Sequence, residues 1–170
     1  MSLSSNLPAL QVVVPLLAAP ICLLINRAKA CWGFAMATAV ASLIISLMLL
    51  DQSIGGNVIS YALGGWPAPW GIELRVDTTN AFVLVIVSLI ASAVLVFAKN
   101  SIPKELSSDK VSLLYTSYLL CLTGLLGMTI TGDAFNLFVF LEVSSLSTYA
   151  MISVGQDRRA LVASYQYLIM

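Results

Sequence analysis

Five uninterrupted apolar runs decide what this chain can fold into. Each run is 19 to 22 residues long, and together they cover Leu7–Ile25, Cys31–Leu50, Thr78–Ala98, Val111–Thr131 and Ala134–Gly155. A helix of about 20 apolar residues spans the ~30 Å hydrocarbon core of a bilayer. We therefore expect an all-α integral membrane protein, a polytopic bundle of five full transmembrane helices.

A sixth apolar run begins at Ala160 and reaches only Met170. A helix that stopped there would leave its last carbonyl groups in hydrocarbon, where no water can satisfy them. We therefore expect this helix to be a truncated sixth span and the natural protein to continue past Met170.

The composition agrees with a membrane protein and narrows its partners. Charged residues make up 9% of the chain and hydrophobic residues 59%, whereas roughly 25% of the residues of a soluble domain are charged. The lipid bilayer is thus the first expected partner. The net charge is zero, which argues against nucleic acid, whose binding needs a basic surface.

Basic residues follow alternate spans. Seven of the eight lie after the first, third and fifth spans, and only Arg75 falls on the other side; the seven are Arg27, Lys29, Lys99, Lys104, Lys110, Arg158 and Arg159. By the positive-inside rule these three loops are cytoplasmic and the N-terminus is external. We expect this orientation in the cell membrane, either an inner or a plasma membrane.

The long external loop Asp51–Asp77 contains a candidate hairpin. Residues 72–77 alternate apolar and charged side chains, which is the period of a strand, and residues 58–63 form a weaker candidate. A glycine- and proline-rich stretch between them favours a turn. We predict a short β-hairpin, with an irregular loop on the membrane surface as the alternative.

By contrast, the polar segment Lys99–Lys110 is expected to be an ordinary cytoplasmic connection.

The usual cofactor ligands and catalytic motifs are missing from the sequence. There is no His, and Cys22, Cys31 and Cys121 stand singly in apolar runs. Phosphate-binding glycine loops, nucleophile elbows and metal-ligand spacings are also absent. We therefore expect no cofactor and no metal, and a transporter subunit rather than an enzyme, unless a redox reaction elsewhere drives it.

Glu142 is the one charged residue that cannot be placed at a membrane surface. It lies eight residues after Ala134, which corresponds to a depth of ~12 Å at ~1.5 Å per residue. An acidic group at that depth costs at least ~2.5–3.5 kcal/mol on insertion scales and generally marks an ion or proton pathway. We predict that Glu142 carries a proton. The alternative is a neutral structural carboxyl.

Hydroxyl groups cluster after Glu142 on the same helix. Ser145 and Tyr149 share its face at spacings of three and seven, so they are candidates for lining a proton path. For Ser144, Ser147 and Thr148 we favour close helix packing, which small residues permit.

The connection before this helix is only three residues long, Thr131–Asp133. Gly132 is predicted to end the preceding helix in the left-handed conformation. Asp133 is predicted to cap the next helix through the N–H groups of Phe135 and Asn136, with a direct part in ion entry as the alternative.

The string TGDAFNLFVFLEV (residues 131–143) resembles the fifth transmembrane helix of the D-type subunit of Mrp-type cation/proton antiporters. This family is similar to the antiporter-like subunits of respiratory complex I and membrane-bound hydrogenases. The order of the spans, the long loop after the second span and the segment Ala160–Met170 are also similar.

The resemblance implies fourteen helices with two inverted repeats of five. It implies that Glu142 matches a glutamate whose partner is a lysine in the seventh helix, beyond this chain. Residues 1–110, with loop 51–77, would precede the first proton-conducting repeat, and residues 111–170 would begin it.

The implied function is a membrane subunit of a multi-subunit Na+/proton antiporter, with other subunits, protons and a monovalent cation as partners. One alternative is the proton-pumping antiporter-like subunit of an NADH-quinone oxidoreductase or hydrogenase. The other is a scaffold subunit that conducts nothing.

Overall fold

The computed structural model describes residues 6–25, 27–66, 70–155 and 158–169. Six helices account for most of this part: α1 (Leu7–Leu24), α2 (Ala28–Ser53), α3 (Thr78–Glu105), α4 (Ser108–Ile130), α5 (Ala134–Ser153) and α6 (Arg158–Ile169). In the described part, α1 to α5 are long and apolar enough to cross a bilayer. The predicted helical bundle is thus confirmed.

Helices α1 to α4 form a four-helix group in which α1 packs against α2 and α4, and α3 packs against α2 and α4. Helix α5 packs chiefly against α4, and α6 packs against α5. The buried core is formed mainly by α1 to α4 and is rich in small residues such as Ala19, Ala35 and Ala39. Small residues let neighbouring helices approach closely in a membrane.

A two-stranded antiparallel sheet joins α2 to α3, as predicted. Strand β1 (Ile59–Ala62) pairs with β2 (Glu73–Val76), with Ile59 opposite Val76 and Ala62 opposite Glu73. Leu74 and Val76 of β2 are buried, and β2 contacts α1, α3 and α4. The hairpin therefore packs on one end of the bundle, which we call the hairpin end.

The opposite end carries the α1–α2, α3–α4 and α5–α6 connections, together with most of the basic residues, and we call it the basic end. Here the prediction for Lys99–Lys110 is wrong, because α3 continues to Glu105 and only Leu106 and Ser107 separate it from α4. Helix α3 has 28 residues, or ~42 Å, which is close to the full thickness of a bilayer with its headgroups. The polar residues at the end of α3 therefore extend the helix past the hydrocarbon core. The helix continues through Pro103.

Candidate functional site

The start of α5 is fixed by Asp133. Its side-chain oxygens accept hydrogen bonds from the backbone N–H groups of Phe135 (3.2 Å) and Asn136 (3.3 Å). The side chain of Asn136 in turn donates to the Thr131 hydroxyl (3.2 Å). This is the capping geometry that the sequence favours for Asp133, and it ties the first turn of α5 to the end of α4.

Gly132 does not end α4 in the left-handed conformation, so that prediction is wrong. Within the described residues, a positive φ is found at Gly55, Gly56, Gly64 and Gly65 but not at Gly132. The chain instead leaves α4 in an extended conformation at Thr131, which bridges to Leu74 of β2. The Gly132 N–H donates to the Glu73 carbonyl group (2.9 Å). Pairing with the hairpin thus replaces the helix-ending turn.

Helices α4 and α5 touch through glycines. A Cβ atom built on Gly124 would lie 2.7 Å from the Phe140 carbonyl oxygen, and one built on Gly127 would overlap the Phe140 ring. Real Cβ atoms do not approach other atoms this closely. The two helix backbones therefore meet at a distance that only glycine allows.

Beside Phe140, the face of α5 toward α4 carries polar side chains. The three buried residues of α5 are Asn136, Ser144 and Ser147. The Thr148 hydroxyl donates to the Ser144 carbonyl group and lies 3.4 Å from the Cys121 sulfur on α4. These contacts agree with the packing role expected for Ser144, Ser147 and Thr148.

Glu142 lies on the opposite side of α5. It is two residues from Ser144, which is a rotation of ~200° around a helix. On the Glu142 side, Phe138 is 60% exposed and Leu146 is 55% exposed, while Glu142, Ser145 and Tyr149 are half-buried. The carboxyl group therefore faces away from the four-helix group.

In the part of the chain that the structure describes, the Glu142 carboxyl group has no hydrogen bond and no ion pair. Ser145 and Tyr149 share its side of α5, but no hydrogen bond among the described residues joins the three. Asp133 lies nine residues earlier, ~13 Å along the axis. The structure thus brings Glu142, Ser145 and Tyr149 to one face and leaves Asp133 at the hairpin end.

One buried polar cluster in α1, α2 and α3 was missed by sequence reasoning. The Gln11 amide donates to the Ser46 hydroxyl (2.8 Å), and the Ser88 hydroxyl lies 3.1 Å from that of Ser46. All three side chains are fully buried. The residues are 35 and 42 positions apart, so only the packing of the helices reveals the cluster.

Comparisons with known proteins find relatives along nearly the whole chain. NADH-quinone oxidoreductase subunit N of Desulforudis audaxviator is 40% identical over 98% of this chain. The D-type subunit of the Na(+)/H(+) antiporter of Alkalihalophilus pseudofirmus is 29% identical over 97% of it. The chain spans about a third of the length of these curated relatives, 34% and 33% respectively. No protein-family model matches the chain.

A solved structure shares the fold of this chain over nearly its whole length. The Mrp complex from Dietzia sp. contains a chain that superposes with a TM-score of 0.85 and is 25% identical, and the match covers 99% of this chain and 32% of that one. The five membrane-spanning helices and these relatives establish an integral membrane protein. Over nearly its whole length the chain is therefore a homologue of NADH-quinone oxidoreductase subunit N and of the D-type subunit of the Na(+)/H(+) antiporter.

Proposed function

We propose that the full-length protein is a membrane subunit of a multi-subunit Na+/proton antiporter, and that Glu142 carries the proton. The observation that supports this proposal best is the position of Glu142, in the middle of a membrane-spanning helix and on the side away from α4. Placing a carboxyl group at that position in a bilayer costs free energy. The cost is lower if a functional partner covers the carboxyl group.

The chemistry of Glu142 would follow from its surroundings. A carboxyl group in an apolar environment favours its neutral form, whereas a cation within ~4–6 Å favours the carboxylate. Glu142 would therefore release its proton when a cationic side chain approached. It would bind a proton again when that side chain withdrew. The hydroxyl groups of Ser145 and Tyr149 lie on the same side of α5 and would hydrogen-bond water along the path.

The neighbouring elements would hold Glu142 in place. Glycine-mediated packing fixes the opposite face of α5 on α4, and Asp133 fixes its first turn. Asp133 also lies at the hairpin end of α5, where an entering ion would meet it. We further propose that residues 111–170 begin the proton-conducting repeat and that residues 1–110, with loop 51–77, precede it.

The orientation and the partners are part of the same proposal. The connections at the basic end would be cytoplasmic, with the N-terminus and the hairpin external, in the cell membrane. The exposed side of α5 would be covered by other helices of the full-length protein or by other subunits of the complex, since exposed polar groups are costly in lipid.

A second candidate function is the redox-driven one, in which the same proton path serves a respiratory complex. It is favoured by the 40% identity to a subunit of an NADH-quinone oxidoreductase, against 29% for the antiporter subunit. A scaffold subunit that conducts nothing is the third candidate, and in it Glu142 would be a neutral structural carboxyl group.

The driving force separates these candidates. The full-length protein in its native complex would be reconstituted into vesicles that contain a pH-sensitive dye, and a Na+ gradient would be applied without any electron donor. Antiport predicts an immediate pH change that reverses with the gradient. A pH change that appears only when an electron donor is added would favour the redox-driven complex. No change under either condition would favour the scaffold.

A further inference from the structure

A cavity at the basic end of the bundle combines positive charge with hydrogen-bond donors. It has a volume of about 520 Å³ and lies between α2, α3 and α4. Its polar lining consists of Lys29, Lys99, Asn100 and Tyr115, beside the ring of Trp32. No Asp or Glu is among the described residues that line it. The cavity is therefore suited to an anion.

One of the two lysines is already positioned over the cavity wall. The Lys99 ammonium group lies 4.6 Å from the centre of the Trp32 ring. The ring itself is anchored, because its N–H group donates to the Leu95 carbonyl group (2.8 Å). A cation over an indole face is electrostatically attracted to it. Lys99 is itself exposed, and this contact holds its charge beside the cavity.

Tyr115 adds a second, independent sign of a ligand. Its side chain is only 2% exposed, and in the described part of the chain its hydroxyl group makes no hydrogen bond, although it lines the cavity. The hydroxyl group can therefore form hydrogen bonds that no described residue provides. An oxygen of a bound anion would accept a hydrogen bond from it.

The start of α2 contributes positive potential as well. Ala28 and Lys29 line the cavity in the first turn of this helix, which has neither a side-chain cap nor an acidic residue. The free N–H groups and the positive end of the helix dipole favour negative charge there. All these groups donate hydrogen bonds or carry positive charge.

An apolar cavity lies farther toward the hairpin end between α3 and α4. It has a volume of about 290 Å³ and is lined by Val87, Ile90 and Val94 on α3 and by Tyr118, Leu122 and Leu125 on α4. Residues 111, 115, 118, 122 and 125 of α4 follow each other at spacings of four and three, so a single face of α4 borders both cavities.

We propose that the two cavities together bind an anionic phospholipid, with its phosphate group between Lys29, Lys99 and Tyr115 and one acyl chain along α3 and α4. A basic pocket between transmembrane helices is suited to an anionic headgroup. Free phosphate has the same headgroup chemistry, but it would leave the apolar cavity without an occupant. The binding of this lipid does not depend on proton transfer at Glu142.

The test is lipid retention by the full-length protein. The protein is purified in detergent and incubated with phosphatidylglycerol or phosphatidylcholine, and the bound lipid is quantified by native mass spectrometry. The double variant Lys29→Gln/Lys99→Gln should bind phosphatidylglycerol roughly 30-fold more weakly, since each lysine near an anionic headgroup contributes about fivefold. Tyr115→Phe should weaken binding by roughly tenfold.

A matched control removes the same charge elsewhere at the basic end. Lys104→Gln/Arg158→Gln should leave the affinity for phosphatidylglycerol within about twofold, because neither residue lines the cavity. Lys29→Arg/Lys99→Arg keeps the charge and should retain the lipid, which keeps the test valid if the glutamine variant unfolds. Equal losses in both glutamine variants would overturn the proposal. Binding of inorganic phosphate without retention of phosphatidylglycerol would also overturn it, in favour of a free-phosphate site.

Discussion

At the scale of single residues, Glu142 is the clearest case in which sequence and structure lead to the same place. Its depth follows from its position in an apolar run, because a helix rises by ~1.5 Å per residue. The face that it shares with Ser145 and Tyr149 also follows from helical spacing. What the sequence does not reveal is which face of α5 packs on α4, because that depends on glycines of another helix.

Gly132 shows where residue-scale reasoning failed. Glycine after a helix often takes the left-handed conformation, but here the chain pairs with β2, and the Gly132 N–H donates to the Glu73 carbonyl group. That contact joins residues far apart in the chain, so no local pattern reports it.

Two variants of Asp133 separate its role as a helix cap from its proposed role in ion entry. We expect Asp133→Ala to lower the free energy of unfolding by about 1 kcal/mol, because two backbone N–H groups of α5 lose their acceptor. Thermal unfolding of the full-length protein in detergent would measure this loss. Asp133→Asn should retain most of the stability, since asparagine also caps helices well.

The transport rate of the asparagine variant then decides the second role of Asp133. Normal transport would leave capping as its whole function. Slow transport in a stable Asp133→Asn protein would mean that the negative charge itself assists ion entry. An Asp133→Ala protein as stable as the wild type would contradict the cap.

At the scale of elements, the membrane spans were largely predictable because the bilayer imposes their length. The start of α1 at Leu7, of α3 at Thr78 and of α5 at Ala134 agrees with the apolar runs. The end of α3 does not, because a helix can continue into the headgroup region, where polar residues are no longer excluded. The Gln11–Ser46–Ser88 cluster was also beyond prediction, since it requires three helices to meet.

The interface between α4 and α5 gives a sharp test of packing. Gly127→Ala places a methyl group against the Phe140 ring, so we expect a loss of about 1–3 kcal/mol in the free energy of unfolding. Gly33→Ala in α2 is the matched control, because its Cβ atom would have no other atom within 4 Å. Alanine is also the better helix former, so the control should be neutral or stabilising in thermal unfolding. Equal destabilisation of both variants would contradict the close approach of α4 and α5.

At the scale of the whole molecule, the chain places most of its charged residues at the two ends of the bundle. It leaves apolar side chains, such as Phe97 and Ile169, exposed around the sides. This pattern fits a protein whose surroundings are lipid and other helices. The sequence predicted the bundle and the hairpin from composition and periodicity. It could not predict the order in which the helices pack, because apolar helices in lipid carry little information about their neighbours.

The orientation of the bundle in the cell membrane has a direct test. We expect Asn57→Cys, beside the hairpin, to react in intact cells with a maleimide that does not cross the membrane, because the positive-inside rule places the hairpin outside. Ser107→Cys, between α3 and α4, should react only after permeabilisation. The reverse pattern of labelling would contradict the proposed topology.

The most direct test of the central claim is proton movement by the full-length protein after the substitution Glu142→Gln, measured in vesicles under whichever force drives the wild type. Glutamine keeps the size of the side chain but cannot release a proton, so we expect the flux to fall to that of empty vesicles while the complex still assembles. Glu105→Gln, at the exposed end of α3, is the matched control and should leave the flux unchanged. An undiminished flux in a correctly assembled Glu142→Gln protein would contradict the account.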